Sequence, residues 1–143
     1  MKNTYRNTVS IMLLIALLMS ITSCGNGKES EDLWKNATYT ENAEIGKGDK
    51  TLTIKVSAGD KAVTITVYTD KETLGDALTE CDLISGENGP YGLYVKTVNG
   101  IYADYDTTKA YWALNKIGAQ NTLGVDSEKI SDGDQFEFKY TKE

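Results

Sequence analysis

Cys24 carries the most definite chemistry in the chain. It closes Ile21-Thr22-Ser23-Cys24, directly behind the apolar run Val9 to Met19, and Lys2 and Arg6 precede that run. A positive start, an apolar core and small residues before a cysteine form a secretory signal of the lipoprotein type. The pattern predicts cleavage before Cys24 and a diacylglyceryl group on its thiol. An uncut signal anchor is disfavoured, because the apolar run falls well short of the ~20 residues a spanning helix needs. Residues 1–23 are therefore the expected signal peptide. Residues 24–33 are the expected lipidated tether, polar and small enough to be flexible, and 34–143 the folded domain. The expected location is the extracytoplasmic face of the cell membrane. Two acyl chains hold far better than one there, at ~0.8 kcal/mol per buried methylene.

Other chemistry is scarce. The chain has no histidine, which removes the commonest general base and the commonest metal ligand. With Cys24 lipidated, Cys81 is the one thiol left. No Cys/His constellation can be built, and no intrachain disulfide is expected. Asp104, Asp106, Asp126, Asp132 and Asp134 lack EF-hand spacing, and Asp132-Gly133-Asp134 reads as a turn. Nothing indicates a carboxylate pair spaced for glycoside hydrolysis. The expectation is a protein that is not an enzyme, with no catalytic residue, metal or cofactor. A net charge of −6 without a basic stripe argues against nucleic acid. What remains is aromatic. Nine tyrosines suggest a binding face, since Tyr and Trp offer area with a polar tip. Tyr91, Tyr105, Tyr111 and Trp112, with Asn115, are the ligand-binding candidates. Cross-strand packing competes for the strand aromatics, and for Trp112 above all.

The elements that must position these residues follow from periodicity. Leu52, Ile54 and Val56, then Val63, Ile65 and Val67, alternate with polar residues around Gly59-Asp60. This predicts a hairpin. Residues 36–49 read as irregular or one weak edge strand. Thr69-Asp70-Lys71-Glu72 fits a capping box with Thr69 as N-cap, and Leu74, Ala77, Leu78 and Cys81 form one apolar helical face after it. Gly86, Gly89 and Pro90 end that unit. Gly92 to Val98 resumes strand character up to the tight-turn dipeptide Asn99-Gly100. Ile101 to Lys109 reads as a loop, Ala110 to Leu114 as a short strand, 115–134 as turns. Phe136, Phe138 and Tyr140 share one side of a last strand. The order predicts an α+β, β-grasp-like mixed sheet packed on one helix, with an all-β sandwich as the alternative.

Several pieces resemble one family. They are Trp34, Ala37 and Tyr39; the run Thr69 to Leu78; Gly89-Pro90-Tyr91-Gly92-Leu93-Tyr94-Val95-Lys96; Val98-Asn99-Gly100; Ala103-Asp104-Tyr105; Tyr111-Trp112-Ala113; Gly124-Val125-Asp126; and Asp132-Gly133-Asp134. In order and spacing they resemble the transcobalamin-like C-terminal domain family, DUF4430. The resemblance implies a β-grasp-like ligand-binding domain. In animal cobalamin carriers the similar domain closes over a corrinoid held against a separate helical domain, which is not expected in this chain. Leu114-Asn115-Lys116-Ile117-Gly118-Ala119 departs from the family pattern, which implies a different loop or a weakened ligand face. The expected function is a lipid-anchored module that binds a small, corrinoid-like ligand and passes it to a transporter. The alternative is an adhesion or scaffold module that binds another surface protein.

Overall fold

The computed structural model describes residues 32–120 and 122–143. The expected signal peptide, Cys24 and most of the expected tether lie outside the described residues. A 3-10 turn, Leu33–Asn36, opens the described chain. The strands and helices that follow are β1 (Ala43–Gly46), β2 (Lys50–Ala58), β3 (Lys61–Thr69), α1 (Leu74–Glu80), β4 (Ile84–Gly89), β5 (Gly92–Val98), β6 (Ile101–Tyr102), α2 (Tyr105–Thr108), β7 (Ala110–Lys116) and β8 (Gln135–Lys142).

The alternating run in 50–69 forms the antiparallel β2–β3 hairpin, with Ile54 opposite Ile65 and Val56 opposite Val63. β8 lies parallel to β2, β7 antiparallel to β8, and β1 parallel to β3. The five-stranded order is β1-β3-β2-β8-β7, and a second sheet runs β4-β5-β6. The first strand of the hairpin, β2, lies parallel beside the last strand, β8, and α1 follows the hairpin, which is the expected β-grasp arrangement. The inward residues of β2, β3 and β8 (Leu52, Ile54, Ile65, Val67, Phe136, Phe138) are buried together with Leu74, Ala77 and Leu78 of α1. Period two on the sheet and period 3.6 on the helix thus meet in one core.

Four details differ from expectation. The helix N-cap is Thr73, whose hydroxyl accepts from the Asp76 N–H, not Thr69. Thr69 instead accepts from the Lys71 N–H at 3.1 Å and closes a local turn. The α1 start is completed by the loop 125–128, where Val125 and Glu128 carbonyls accept from Gly75 and Leu74 at 2.8 and 2.9 Å. These satisfy amide donors that a helix start leaves without intrahelical partners. Residues 84–89 are strand β4, not a terminating turn; its ladder with β5 carries a bulge at Ser85/Gly86. Residues 101–109 are not all loop, since β6 and α2 occupy them. Finally, Ile117 is compatible with a tight turn. Only Gly118 has positive φ (+85°), and Ala119 N–H donates to the Lys116 carbonyl. A turn that needs positive φ only at its third residue accepts a β-branched residue at its second.

Candidate functional site

The two sheets leave a shallow apolar groove between β5 and β7, of about 170 Å³. Leu93 and Val95 wall one side, Trp112 and Leu114 the other, and Leu123 and Val125 close it from the loop that precedes β8. Strand alternation produces both walls. Leu93 and Val95 share one face of β5, and Trp112 and Leu114 share one face of β7. Tyr94 reaches the rim and is 46% exposed, as Leu123 is at 60%. Trp112 is nearly buried. Its indole N–H donates to the Ile101 carbonyl at 3.3 Å, and its ring meets Tyr140 edge-on at 5.5 Å. The indole is therefore a fixed, almost wholly buried part of the groove wall.

Three polar devices hold the groove's shape. Asp126 accepts the Leu93 N–H at 2.8 Å, turned away from β4, so the hairpin tip is tied to the loop. Lys116, at the end of β7, pairs with Asp134 at 2.9 Å and Glu128 at 3.2 Å. Glu128 in turn accepts the Leu123 N–H, and the Lys116 N–H donates to the Thr122 hydroxyl. The hydrogen bonds that Lys116 donates to Asp134 and then Glu128 hold its ammonium above its ordinary pKa, although burial opposes them. Behind β5, Lys96 pairs with Glu87 at 2.9 Å and Asp104 at 3.3 Å, and the Tyr102 hydroxyl donates to Asp104 at 3.0 Å. Asp104 also caps α2 by accepting from Asp106 N–H. Its carboxyl lies below the usual range, chiefly because of the Tyr102 hydroxyl, and Lys96 is raised, chiefly by Glu87.

The five sequence candidates do not converge. Trp112 lines the groove. Tyr91 sits at the β4–β5 turn, two residues before Leu93, and is 96% exposed. Tyr111 and Asn115 point to the opposite, solvent side of β7, beside Thr141 and Glu137 of β8. Tyr105 opens α2; its hydroxyl donates to Glu143 at 2.7 Å and Lys109 covers its ring at 5.1 Å. Sequence reasoning missed Leu93, Val95 and Leu114 as site residues, although their alternation was readable. Leu123 and Val125 carry no periodic signal.

Among the described residues no group of three Cys, Asp or Glu could hold a metal ion. The best-placed carboxylates are already engaged. Asp126 serves Leu93, Asp132 serves the Thr51 N–H, and Asp104, Glu128 and Asp134 are paired with lysines.

Residues 71–142 match the family model described as Domain of unknown function (DUF4430). A suggested metal-binding protein from Ruminococcus gnavus ATCC 29149 is similar in structure, with a TM-score of 0.61 and 34% identity over 66% of this chain and 99% of that one. Haptocorrin, solved in complex with Cbi, shares the fold at a TM-score of 0.52 and 18% identity, over 65% of this chain. The match covers 25% of haptocorrin's own length. No curated protein matches the chain in sequence.

Proposed function

The chain belongs to the DUF4430 family, and from that footing we propose a lipid-anchored, extracytoplasmic binding module that grips a small planar amphipathic ligand of corrinoid type without acting on it chemically. The observation that carries this reading is the apolar groove walled by the immobilised Trp112 indole. An indole fixed by its own N–H presents a flat apolar surface at little entropic cost. Tyr94, half-exposed at the rim, stands where its ring can close over a bound edge. Tyr111 and Asn115 lie on the far side of β7. Full ligand pockets run to roughly 300–1,000 Å³. A groove of about 170 Å³ therefore holds one edge of a corrinoid-sized molecule and leaves the rest open to a second surface, such as a transporter. Haptocorrin's bound Cbi supports the ligand class. The signal pattern ending at Cys24 supports the anchor.

Thermal unfolding with a panel of corrinoids and flavins tests the ligand. A compound at a hundred times its dissociation constant adds about 2.7 kcal/mol, a rise of roughly 11 °C for a domain of this size. The rise should be lost in Tyr94→Ala plus Leu123→Ser, both exposed positions that line the groove. No shift for any compound refutes the ligand reading. Mass spectrometry of the mature N-terminus tests the anchor independently, and an unmodified Cys24 refutes it.

A further inference from the structure

Asp126 stands where three segments distant in sequence meet. Its carboxylate accepts the Leu93 N–H at 2.8 Å. A methyl built on Gly92, at φ +101°, would lie 2.8 Å from that same oxygen. A methyl built on Gly75, in the first turn of α1, would collide with the other oxygen, Oδ1. The side chain therefore lies in a slot with a glycine on each side, one on the helix and one on the hairpin. Neither glycine could carry a side chain while the carboxylate keeps its place.

The two sides of the slot are anchored differently. On the helix side the loop is fixed through its main chain. Leu74 N–H donates to the Glu128 carbonyl at 2.9 Å, Gly75 N–H to Val125 at 2.8 Å, and Ile130 N–H to the Glu72 carbonyl at 3.1 Å. Thr73 and Lys129 add a β-bridge. On the hairpin side the tie is a side chain, that of Asp126 on Leu93. The hairpin itself stands clear of the body, since residues 85–91 are all exposed. Its ladder is interrupted at Ser85/Gly86, and a bulge bends the strand that carries it. Leu93 and Val95, beyond that bulge on the partner strand, wall the groove.

We propose that Asp126 is a positioning residue that latches the β4–β5 hairpin to the fixed loop and so sets the width of the groove, and that the hairpin swings about its Ser85/Gly86 bulge when the latch releases. Latched, the groove is the shallow one of about 170 Å³. Released, Leu93 moves away from Trp112 and Leu114, and the groove widens. The purpose of that opening rests on the ligand reading above: a groove too small for a whole corrinoid gains room to admit more of it. The latch itself requires no ligand.

Backbone hydrogen exchange, followed by NMR on the chain alone, tests the latch. Asp126→Ala should speed exchange at Leu93 roughly tenfold or more. Amides between Gly86 and Val95 should follow it, while Ile54, Ile65 and Phe138 keep the parent's rates. Asp126→Asn, whose amide oxygen still accepts the Leu93 N–H, should restore most of the protection. Gly75→Ala reaches the latch from the helix side. Alanine is the better helix former, so a role confined to fold stability predicts no loss. Its methyl should nevertheless displace the carboxylate and expose Leu93 to exchange. The same change made in Asp126→Ala should add nothing, because the oxygen it meets is gone. Three results overturn the proposal: Leu93 unchanged in Asp126→Ala, exchange raised equally throughout β2, β3 and β8, or Leu93 fully protected in Gly75→Ala. Should Asp126→Ala fail to fold, Gly75→Ala decides alone. Cobinamide, added as a probe, should associate faster with Asp126→Ala than with the parent, and equal rates overturn the swing. If it binds neither protein, the ligand reading fails while the exchange data still judge the latch.

Discussion

Replacing Asn99 by alanine should be the most damaging single polar substitution in the second sheet. Asn99 is 0% exposed and sits at φ +52° in the β5–β6 turn. Its backbone N–H donates to Leu83 and its carbonyl accepts from Thr38, and both bonds survive substitution. The side chain makes two further bonds, to the Tyr39 N–H and carbonyl. Losing them strands two half-buried backbone groups, at about 1 kcal/mol each toward the lower end of the range for an unsatisfied group. Alanine also tolerates the left-handed conformation worse than asparagine, by roughly 1 kcal/mol. The sum is about 3 kcal/mol. With an unfolding entropy of ~2.1 cal/mol/K per residue, Tm should drop by roughly 13 °C. Asn99→Gly removes the same bonds but relieves the backbone, so it should recover roughly 4 °C of that loss. Calorimetry of the three proteins decides the matter. If Ala and Gly variants melt together, the backbone contribution is wrong. If both melt within 3 °C of the parent, the two Tyr39 bonds are worth nothing.

Other perturbations discriminate further parts of the fold. Trp112→Ala should cost about 3–5 kcal/mol, as expected for a buried indole, whereas Trp112→Phe should cost under half as much; equal losses in urea titrations would show that packing there is loose. Gly86→Ala places a methyl against the Tyr94 carbonyl in the β4–β5 bulge, while a methyl on Gly124 meets open space. The first should cost about 1–3 kcal/mol and the second stay within ~0.5 kcal/mol, as read from denaturation midpoints. The stability-versus-pH profile should be flat between pH 5 and 8, since the chain has no histidine. Asp104, Asp134 and Glu137 have folded pKa values below their ordinary ones. Their contributions are complete above the unfolded values of ~4 and vanish as pH falls through the folded ones, so Tm should decline only below about pH 4. Cys81 is raised by burial, and its contribution is lost as pH rises past ~8.5. A Tm slope near pH 6.5 would contradict both statements.

The hairpin, the last strand and the β-grasp order were legible because each rests on a local period that the core then rewards. The helix start was legible only to within four residues. Thr69 and Thr73 each precede an acidic residue by three positions, and the packing of α1 on the loop 125–128 selects the second. The deciding clue was present, since Thr73 stands immediately before the first apolar residue of the helical face. Ile84–Gly89 gave no strand signal, because after Ile84 its residues are exposed and include two glycines. Its strand conformation comes from pairing with β5. The groove was half legible. Alternation marks Leu93, Val95, Trp112 and Leu114, but tertiary contacts alone bring the two strands together and lay Leu123 across them. The aromatic candidates scattered because exposure of a strand residue depends on which face it occupies, and Tyr111 and Trp112 are neighbours in sequence on opposite faces.

The chain's two poles are chemically distinct. Leu33 and Trp34 rest on the β2–β3 turn, where the indole N–H donates to the Ala58 carbonyl and Lys61 lies over the ring. The Asn99-Gly100 turn belongs to the same pole, since Gly100 abuts Asn36. Strand directions place Tyr91, the Ile117-Gly118 turn and Asp126 at the other pole. Asp32, the first described residue, therefore lies toward the floor of the domain, and the hairpin tip with Tyr91 stands at its roof. The exposed Tyr91 ring is thereby carried at the end of the domain remote from the first described residues.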